Sequence, residues 1–234
     1  MALLDDALDA HGGLARWRAL QRFTLHVSLG GRLVARKGKA GILSEAVAEG
    51  STIVQSVQIT IPAGRYVYTP DRVAFEGPDD TVLATREDPG PVFLGRPDTQ
   101  GWDDLDFAFF AGRIIWARVA MPFLLADPDV RLEQLAPWQE LAETWRRLRA
   151  VFPPRIAMPA AEQILYFDDT GLLRRLDYQA PGSELCLACY AGAYQRFSGI
   201  TLPTLCRWFR VGTDDKPVRK PNIISMEIFD ARFD

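Results

Sequence analysis

From Ala161 to Asp234 the chain reads as one β-strand after another, joined by short turns. Five strand-prone runs are predicted, at 163–168, 172–179, 185–196, 203–211 and 222–233. The sharpest signal is Gln163-Ile-Leu-Tyr-Phe-Asp-Asp-Thr-Gly-Leu-Leu-Arg-Arg-Leu-Asp-Tyr178. Two runs there flank Asp168-Asp169-Thr170-Gly171, a tight turn with glycine where a positive φ is needed. An uninterrupted antiparallel meander must curl and must cover one of its faces. A curled sheet with a covered concave face is a container, so the sequence speaks first about architecture.

The rest of the chain fits that picture. Leu4, Ala7, Leu8, Leu14, Trp17 and Leu20 recur at helical spacing across residues 2 to 20, with Gly12-Gly13 as a break. Residues 22 to 35 switch to period two: Phe23, Leu25, Val27 and Leu29 alternate with Arg22, Thr24, His26 and Ser28. Gly30-Gly31 is read there as a bulge or bend within the strand. Further strands are predicted at 40–48, 52–61, 65–69, 73–76 and 82–86, and a loop rich in proline and glycine at 87–101.

A helix is expected from about residue 104 to 119, with Asp103 as N-cap and Asp104 and Asp106 in its first turn. It is apolar nearly all round, which requires cover on most sides or a place along a cavity. Residues 138–150 are ambiguous. Trp138, Leu141, Ala142, Trp145 and Leu148 fit helical spacing, yet 143–152 also alternates like a strand.

Composition excludes several classes. Net charge is −3 at neutral pH, and only four of the 27 basic residues are lysine, so no polycationic surface offers itself to nucleic acid. The most apolar stretch, 107–126, carries Arg113 and Arg118, so no membrane-spanning segment is predicted. The acidic start, Leu4-Asp5-Asp6, does not read as a secretory leader, and a cytoplasmic location is expected from it.

Candidate chemistry is sparse. Cys186 and Cys189 form a C-x-x-C, but i and i+3 of a strand face opposite ways and no further ligands complete a zinc site. His11 and His26 are the only histidines, and neither has a local orienting partner. No Gly-rich phosphate loop is present. Asp168-Asp169 is assigned to its turn, and Asp103, Asp104 and Asp106 to a helix start. No cofactor, metal or catalytic residue is assigned.

Four pieces carry a resemblance: His11-Gly-Gly-Leu-Ala-Arg-Trp17, Glu143-Thr-Trp-Arg-Arg-Leu148, the Gln163–Arg175 segment, and Gly199-Ile-x-x-Pro-Thr204. Together they resemble uncharacterised bacterial proteins with the half-barrel of the lipoprotein carriers (LolA/LolB-like). The resemblance spans nearly the whole chain, and its motifs mark turns and strand starts. It implies an α+β, mainly antiparallel β domain over residues 1–234. That domain is a curved open half-barrel of about ten strands, with helices covering the concave face: a helical segment at 1–20 and a plug helix at 102–120. It also favours strand over helix at 143–152, although Glu140-Leu141-Ala142 supplies no glycine for the hairpin turn.

On this reading the chain binds a hydrophobic small molecule or lipid in the half-barrel. The candidate contacts are Trp102, Phe107, Phe110, Arg113, Trp116, Phe123, Tyr166 and Tyr178, with Arg113 and Arg118 available to a ligand carboxylate or phosphate. Two alternatives stand beside it. One is a cytoplasmic enzyme of small-molecule metabolism doing non-redox chemistry in the same cavity. The other is a structural or interaction protein with a filled core.

Overall fold

A computed structural model describes residues 2–97, 99–180, 182–213, 216–218 and 220–234. The first half contributes α1 (Ala2–Ala10), α2 (Leu14–Arg18), β1 (Arg22–Gly30), α3 (Arg32–Arg36), β2 (Leu43–Ser51), β3 (Val57–Ile61), β4 (Gly64–Tyr68), β5 (Arg72–Glu76), β6 (Val82–Glu87) and α4 (Pro89–Leu94). After α5 (Asp104–Ala120) come β7 (Arg131–Glu140), β8 (Glu143–Val151), β9 (Glu162–Phe167), β10 (Leu173–Gln179), β11 (Cys186–Phe197), β12 (Ile200–Val211), the two-residue β13 (Pro217–Val218) and β14 (Ile224–Phe233).

The strands form one open antiparallel sheet in the order β6-β5-β4-β3-β2-β1-β14-β12-β11-β10-β9-β8-β7, with β13 beside β12. It holds 14 strands where about ten were expected, and it does not close, since β6 and β7 remain its edges. Two meanders, β1–β6 and β7–β12, are joined by the last strand: β14 pairs with β1 on one side and β12 on the other.

Alternation produces the inner wall. In β1, Phe23, Leu25, Val27 and Leu29 are buried, and in β9 and β10 Leu165, Leu173, Leu176 and Tyr178 are too. Helix α5 lies in the trough that this wall makes. Of its 17 residues 15 are buried, so cover comes from nearly every direction. A Cβ on Gly112 would stand 2.3 Å from Cβ of Tyr68, so only glycine lets α5 lie this close to β4.

Several local expectations hold. Asp103 caps α5 with a reciprocal box, its carboxylate accepting from the Asp106 N–H while that of Asp106 accepts from the Asp103 N–H. The Asp168 carboxylate accepts from the N–H groups of Thr170 and Leu172, and Gly171 takes φ 86°. Cys186 is exposed and Cys189 buried.

Two local expectations fail, and the open choice at 138–150 is decided for strand, as the resemblance implied for 143–152. The run through residue 35 is not one strand: β1 stops at Gly30 and Arg32–Arg36 is helical. Arg32 N–H donates to Asn222 O and Leu33 N–H to Ile223 O, so tertiary hydrogen bonds hold the segment as a turn of helix where its own alternation favoured strand. The 87–101 loop contains α4, with proline at its first turn. Residues 138–150 are a hairpin, β7–β8, in which Trp138 pairs with Trp145. The helical spacing there lost to cross-strand pairing on both sides of β8.

That hairpin turns without glycine. Leu141 adopts φ 53° and is 87% exposed. The left-handed conformation costs a branched residue about 1 kcal/mol, and Leu141 recovers little by burial. Replacing Leu141→Gly is expected to raise stability by about 1 kcal/mol in urea unfolding, against the usual direction for glycine substitutions.

Candidate functional site

A hollow of about 530 Å³ opens where the ends of β10, β11, β12 and β14 meet α3, α4 and α5. Its floor is apolar. Phe110 and Ile114 come from α5, Phe93 from α4, Tyr178 and Leu187 from β10 and β11, and Ile224 from β14. On α5 the positions 110, 113, 114 and 117 share one face, so the helix presents Arg113 between Phe110 and Ile114. A narrow extension of about 10 Å³, lined by Ala117, Arg118, Gln163 and Trp208, continues inward past Ile114 and Tyr178.

Among the described residues six lining side chains are cationic and none is acidic: Arg32, Arg36, Lys37, Arg96, Arg113 and Arg210. Their states differ. Arg96 is engaged by Asp103 and Asp106, with N···O distances of 2.7 Å to each. Lys37 donates to the carbonyls of Pro97 and Gln100 and lies against the Trp102 ring. Arg113 has no carboxylate partner among the described residues. Its Nε is shielded from solvent and unbonded, and its guanidinium rests 4.5 Å from the Phe109 ring centre and 5.7 Å from that of Phe93. Burial pushes the Arg113 guanidinium below its ordinary value.

The helix that carries these groups is fixed at its first turn by the acids. Asp106, fully buried, is held by Arg86 (2.8 Å) and Arg96, and Asp103 by the same two arginines. Asp104 receives Lys39 Nζ and the Tyr66 hydroxyl. Burial raises the Asp103 carboxyl, but Arg86, the Asp106 N–H and Arg96 outweigh it and leave it below the usual carboxylate range.

A second polar group sits deeper. Arg118 is 6% exposed, and its guanidinium lies 3.7 Å from Cys189 Sγ. Cys189 and Cys206 are diagonal neighbours across β11 and β12, two pairs apart in register and so on one face of the sheet. Burial pushes the Cys189 thiol up, whereas the bond from Cys189 and then the Arg118 charge draw Cys206 down. The C-x-x-C spacing pointed to the wrong pair; the cross-strand partner was invisible without register.

The expected contacts separate into groups. Trp102, Phe110, Arg113 and Tyr178 line the hollow. Phe107 packs edge-on against Tyr66, Trp116 donates its indole N–H to Ser51 O, and Phe123 stacks on Trp17 at 4.5 Å, all in the core away from it. Tyr166 faces the opposite side of the sheet, where its hydroxyl donates to Asp177 and its ring covers Arg175. The strand parity that buries Leu165 inward turns Tyr166 outward. Arg32, Arg210 and Phe93 were not anticipated. Their signal was weak, because Arg32 and Arg210 sit at strand ends on the surface and Phe93 lay in an apparent loop.

His11 is not at the hollow. It is 1% exposed at the end of α1, and its Nδ1 lies 2.8 Å from Ala7 O, which fixes the Nδ1–H tautomer because a carbonyl only accepts. Burial lowers its pKa from 6.5 to about 4, opposed by the Ala7 carbonyl and Asp168 and helped by Arg118. Among the described residues no group of three or more His, Cys, Asp and Glu side chains could hold a metal ion. No described helix is long and apolar enough to cross a membrane.

No protein-family model matches the sequence, and no curated protein is detectably similar to it. Solved structures do resemble it in fold. A DUF1329 family protein from Desulfovibrio piger matches with a TM-score of 0.54 at 13% identity, covering 100% of this chain and 92% of that one. A LolA superfamily protein from Nitrosomonas europaea matches at 0.52 and 9% identity, covering 98% and 91%. An outer membrane lipoprotein-sorting protein domain from Vibrio parahaemolyticus gives 0.46 at 8%, covering 98% and 91%. The chain has a LolA-like fold. The expectation of a cytoplasmic setting does not stand, because the fold is that of a LolA superfamily protein.

Two outcomes follow. Asp106→Ala removes the buried carboxylate between Arg86 and Arg96, leaving them only the more exposed Asp103, and breaks the capping box, and is expected to lower unfolding stability by about 3 kcal/mol in denaturant titration. His11 is neutral in the fold and charged when unfolded between pH 6.5 and about 4, so its contribution is present above pH 6.5 and is lost as pH falls through that window. The loss amounts to about 3 kcal/mol, and His11→Gln is expected to flatten the stability profile between those pH values.

Proposed function

We propose that this chain binds a hydrophobic small molecule or lipid between α5 and the inner wall of its sheet. The observation that carries the reading is the 530 Å³ hollow with an apolar floor, of the size that small-molecule sites occupy. The LolA-like fold supports it, because the curved sheet and its plug helix create that space. A filled structural core would leave no such space. An enzyme on the same scaffold finds less support: among the described residues no histidine, cysteine or carboxylate lines the hollow, and the thiol group near Arg118 lies beyond the narrow extension. Trp102, Phe110 and Tyr178 are assigned as apolar contacts and Arg113 as a polar one.

Ile114→Trp places a larger ring in both the hollow and its extension. Fluorescence titration with the uncharged dye N-phenyl-1-naphthylamine is expected to show binding by the unmodified chain. For Ile114→Trp at unchanged circular dichroism, the affinity should be weaker by about tenfold or more. Equal binding by both proteins would place the dye elsewhere and remove the reading. Native mass spectrometry of freshly purified chain is expected to reveal a co-purified apolar molecule.

A further inference from the structure

We infer that the hollow is built for an amphiphile with an anionic head, a carboxylate or a phosphate, and that Arg113 is its anchor. This rests on the hollow being a binding site at all, and goes on to say what chemistry it selects. The chain as a whole is acidic by three charges, yet among the described residues the walls of this one space hold six cations and no acid. Chance placement from such a composition would mix the signs.

The cations are arranged in depth. Arg113 stands on the inward face of α5, among Phe110, Ile114 and Tyr178. Arg32 and Arg210 are exposed residues at the mouth, and neither side chain has an ion-pair or hydrogen-bond partner among the described residues. Arg96 differs: its guanidinium is already neutralised by Asp103 and Asp106. The fold therefore supplies a counter-ion to one arginine of the cavity wall, Arg96, and none among the described residues to another, Arg113.

Withholding it is costly. A guanidinium carries five N–H donors, and shielding it from water without a carboxylate is unfavourable. Stacking against Phe93 and Phe109 offsets only part of that. Methionine or leucine at position 113 would continue the apolar face without the penalty. An arginine retained there, with its Nε unbonded and dry, is complementary to an oxyanion that arrives with the ligand. The tail then meets Phe110, Ile114, Leu187 and Ile224, while the mouth cations Arg32 and Arg210 draw the anion in. An apolar ligand lacking a head group would leave Arg113 buried and unmatched, which is the origin of the selectivity.

The test is competition against N-phenyl-1-naphthylamine in the full chain. Dodecanoate, dodecyl phosphate, 1-dodecanol and inorganic phosphate are compared. Both anionic amphiphiles are expected to displace the dye at concentrations about tenfold or more below 1-dodecanol, and inorganic phosphate not at all. Arg113→Met, checked for folding by circular dichroism, is expected to erase the preference for the anions, weakening their displacement of the dye and strengthening that by 1-dodecanol. Should Arg113→Met fail to fold, Arg210→Gln at the mouth is expected to weaken the anions by a smaller factor, about two- to fivefold, with no change for 1-dodecanol. Equal displacement by dodecanoate and 1-dodecanol in the unmodified chain would overturn the anionic head and leave the apolar site standing. A preference that survives Arg113→Met undiminished would overturn Arg113 as anchor. Displacement by inorganic phosphate as strong as by dodecyl phosphate would overturn the amphiphile in favour of a free anion. If the dye itself does not bind, both the site and this inference fall together.

Discussion

The architecture depends on the burial of α5. A helix with 15 of 17 residues removed from water cannot be satisfied by a flat sheet, which covers one stripe of it. The sheet must wrap, and 14 strands give it the length to do so while staying open. Close approach on one flank comes from Gly112 lying on Tyr68. Direction comes from the acids of the first turn, which tie the helix start to β6 through Arg86 and to β4 through Tyr66. The far end is tied by Trp116 to the backbone of Ser51. With both ends fixed, the faces of α5 are committed, and position 113 has no choice of neighbour.

Four charged or titratable groups, three buried and Arg113 half-buried, show how differently the interior treats charge. Asp106 is matched by two arginines and strengthens the clamp. His11 sits at a helix C-terminus, where a positive charge is favoured by up to about 2 kcal/mol, yet burial wins and the ring is neutral in the fold. Arg118 cannot neutralise itself, and the nearest polarisable groups are the thiols of Cys189 and Cys206. Arg113 has only aromatic faces. The first two arrangements serve stability. The last two burden it, and groups that burden stability concentrate where a protein meets something else.

Sequence periodicity disclosed much of this. The alternation of Phe23, Leu25, Val27 and Leu29 gave β1 its inner face, and the all-round apolarity of 104–119 gave the plug. What escaped was whatever depends on tertiary partners. Arg32–Arg36 continues an alternating pattern but is bent into helix by hydrogen bonds from residues 190 positions away. Trp138–Trp145 has helical spacing but pairs across a hairpin whose turn forces Leu141 into a conformation it disfavours. Tyr166 was chosen as an aromatic beside a turn, and parity sends it outward to a polar cluster around Arg175 that no local pattern announces. For the cavity, chemistry on α5 was legible because one helix carries it. The mouth was not, because Arg32, Arg96 and Arg210 converge from three separate connections.

The place of the hollow follows from the topology. Two meanders laid side by side meet at a seam, and here the seam is closed by the last strand. β14 makes a long register with β1 but only four pairs with β12, from Leu205–Glu227 to Trp208–Ile224. Beyond Ile224 the chain leaves the sheet through Ile223 and Asn222, and α3 hydrogen-bonds to those residues and not to a strand. The inner wall therefore thins at the end of the seam while α5 runs past it, and the gap between them cannot be filled by a regular strand. Filling it would need large apolar side chains from α3 and from the ends of β11 and β12. The chain places Arg32, Leu33, Leu187 and Arg210 there, two of them charged. The opening at this point is thus a consequence of how the sheet is stitched, and its charge is a choice of side chains that the stitching did not require.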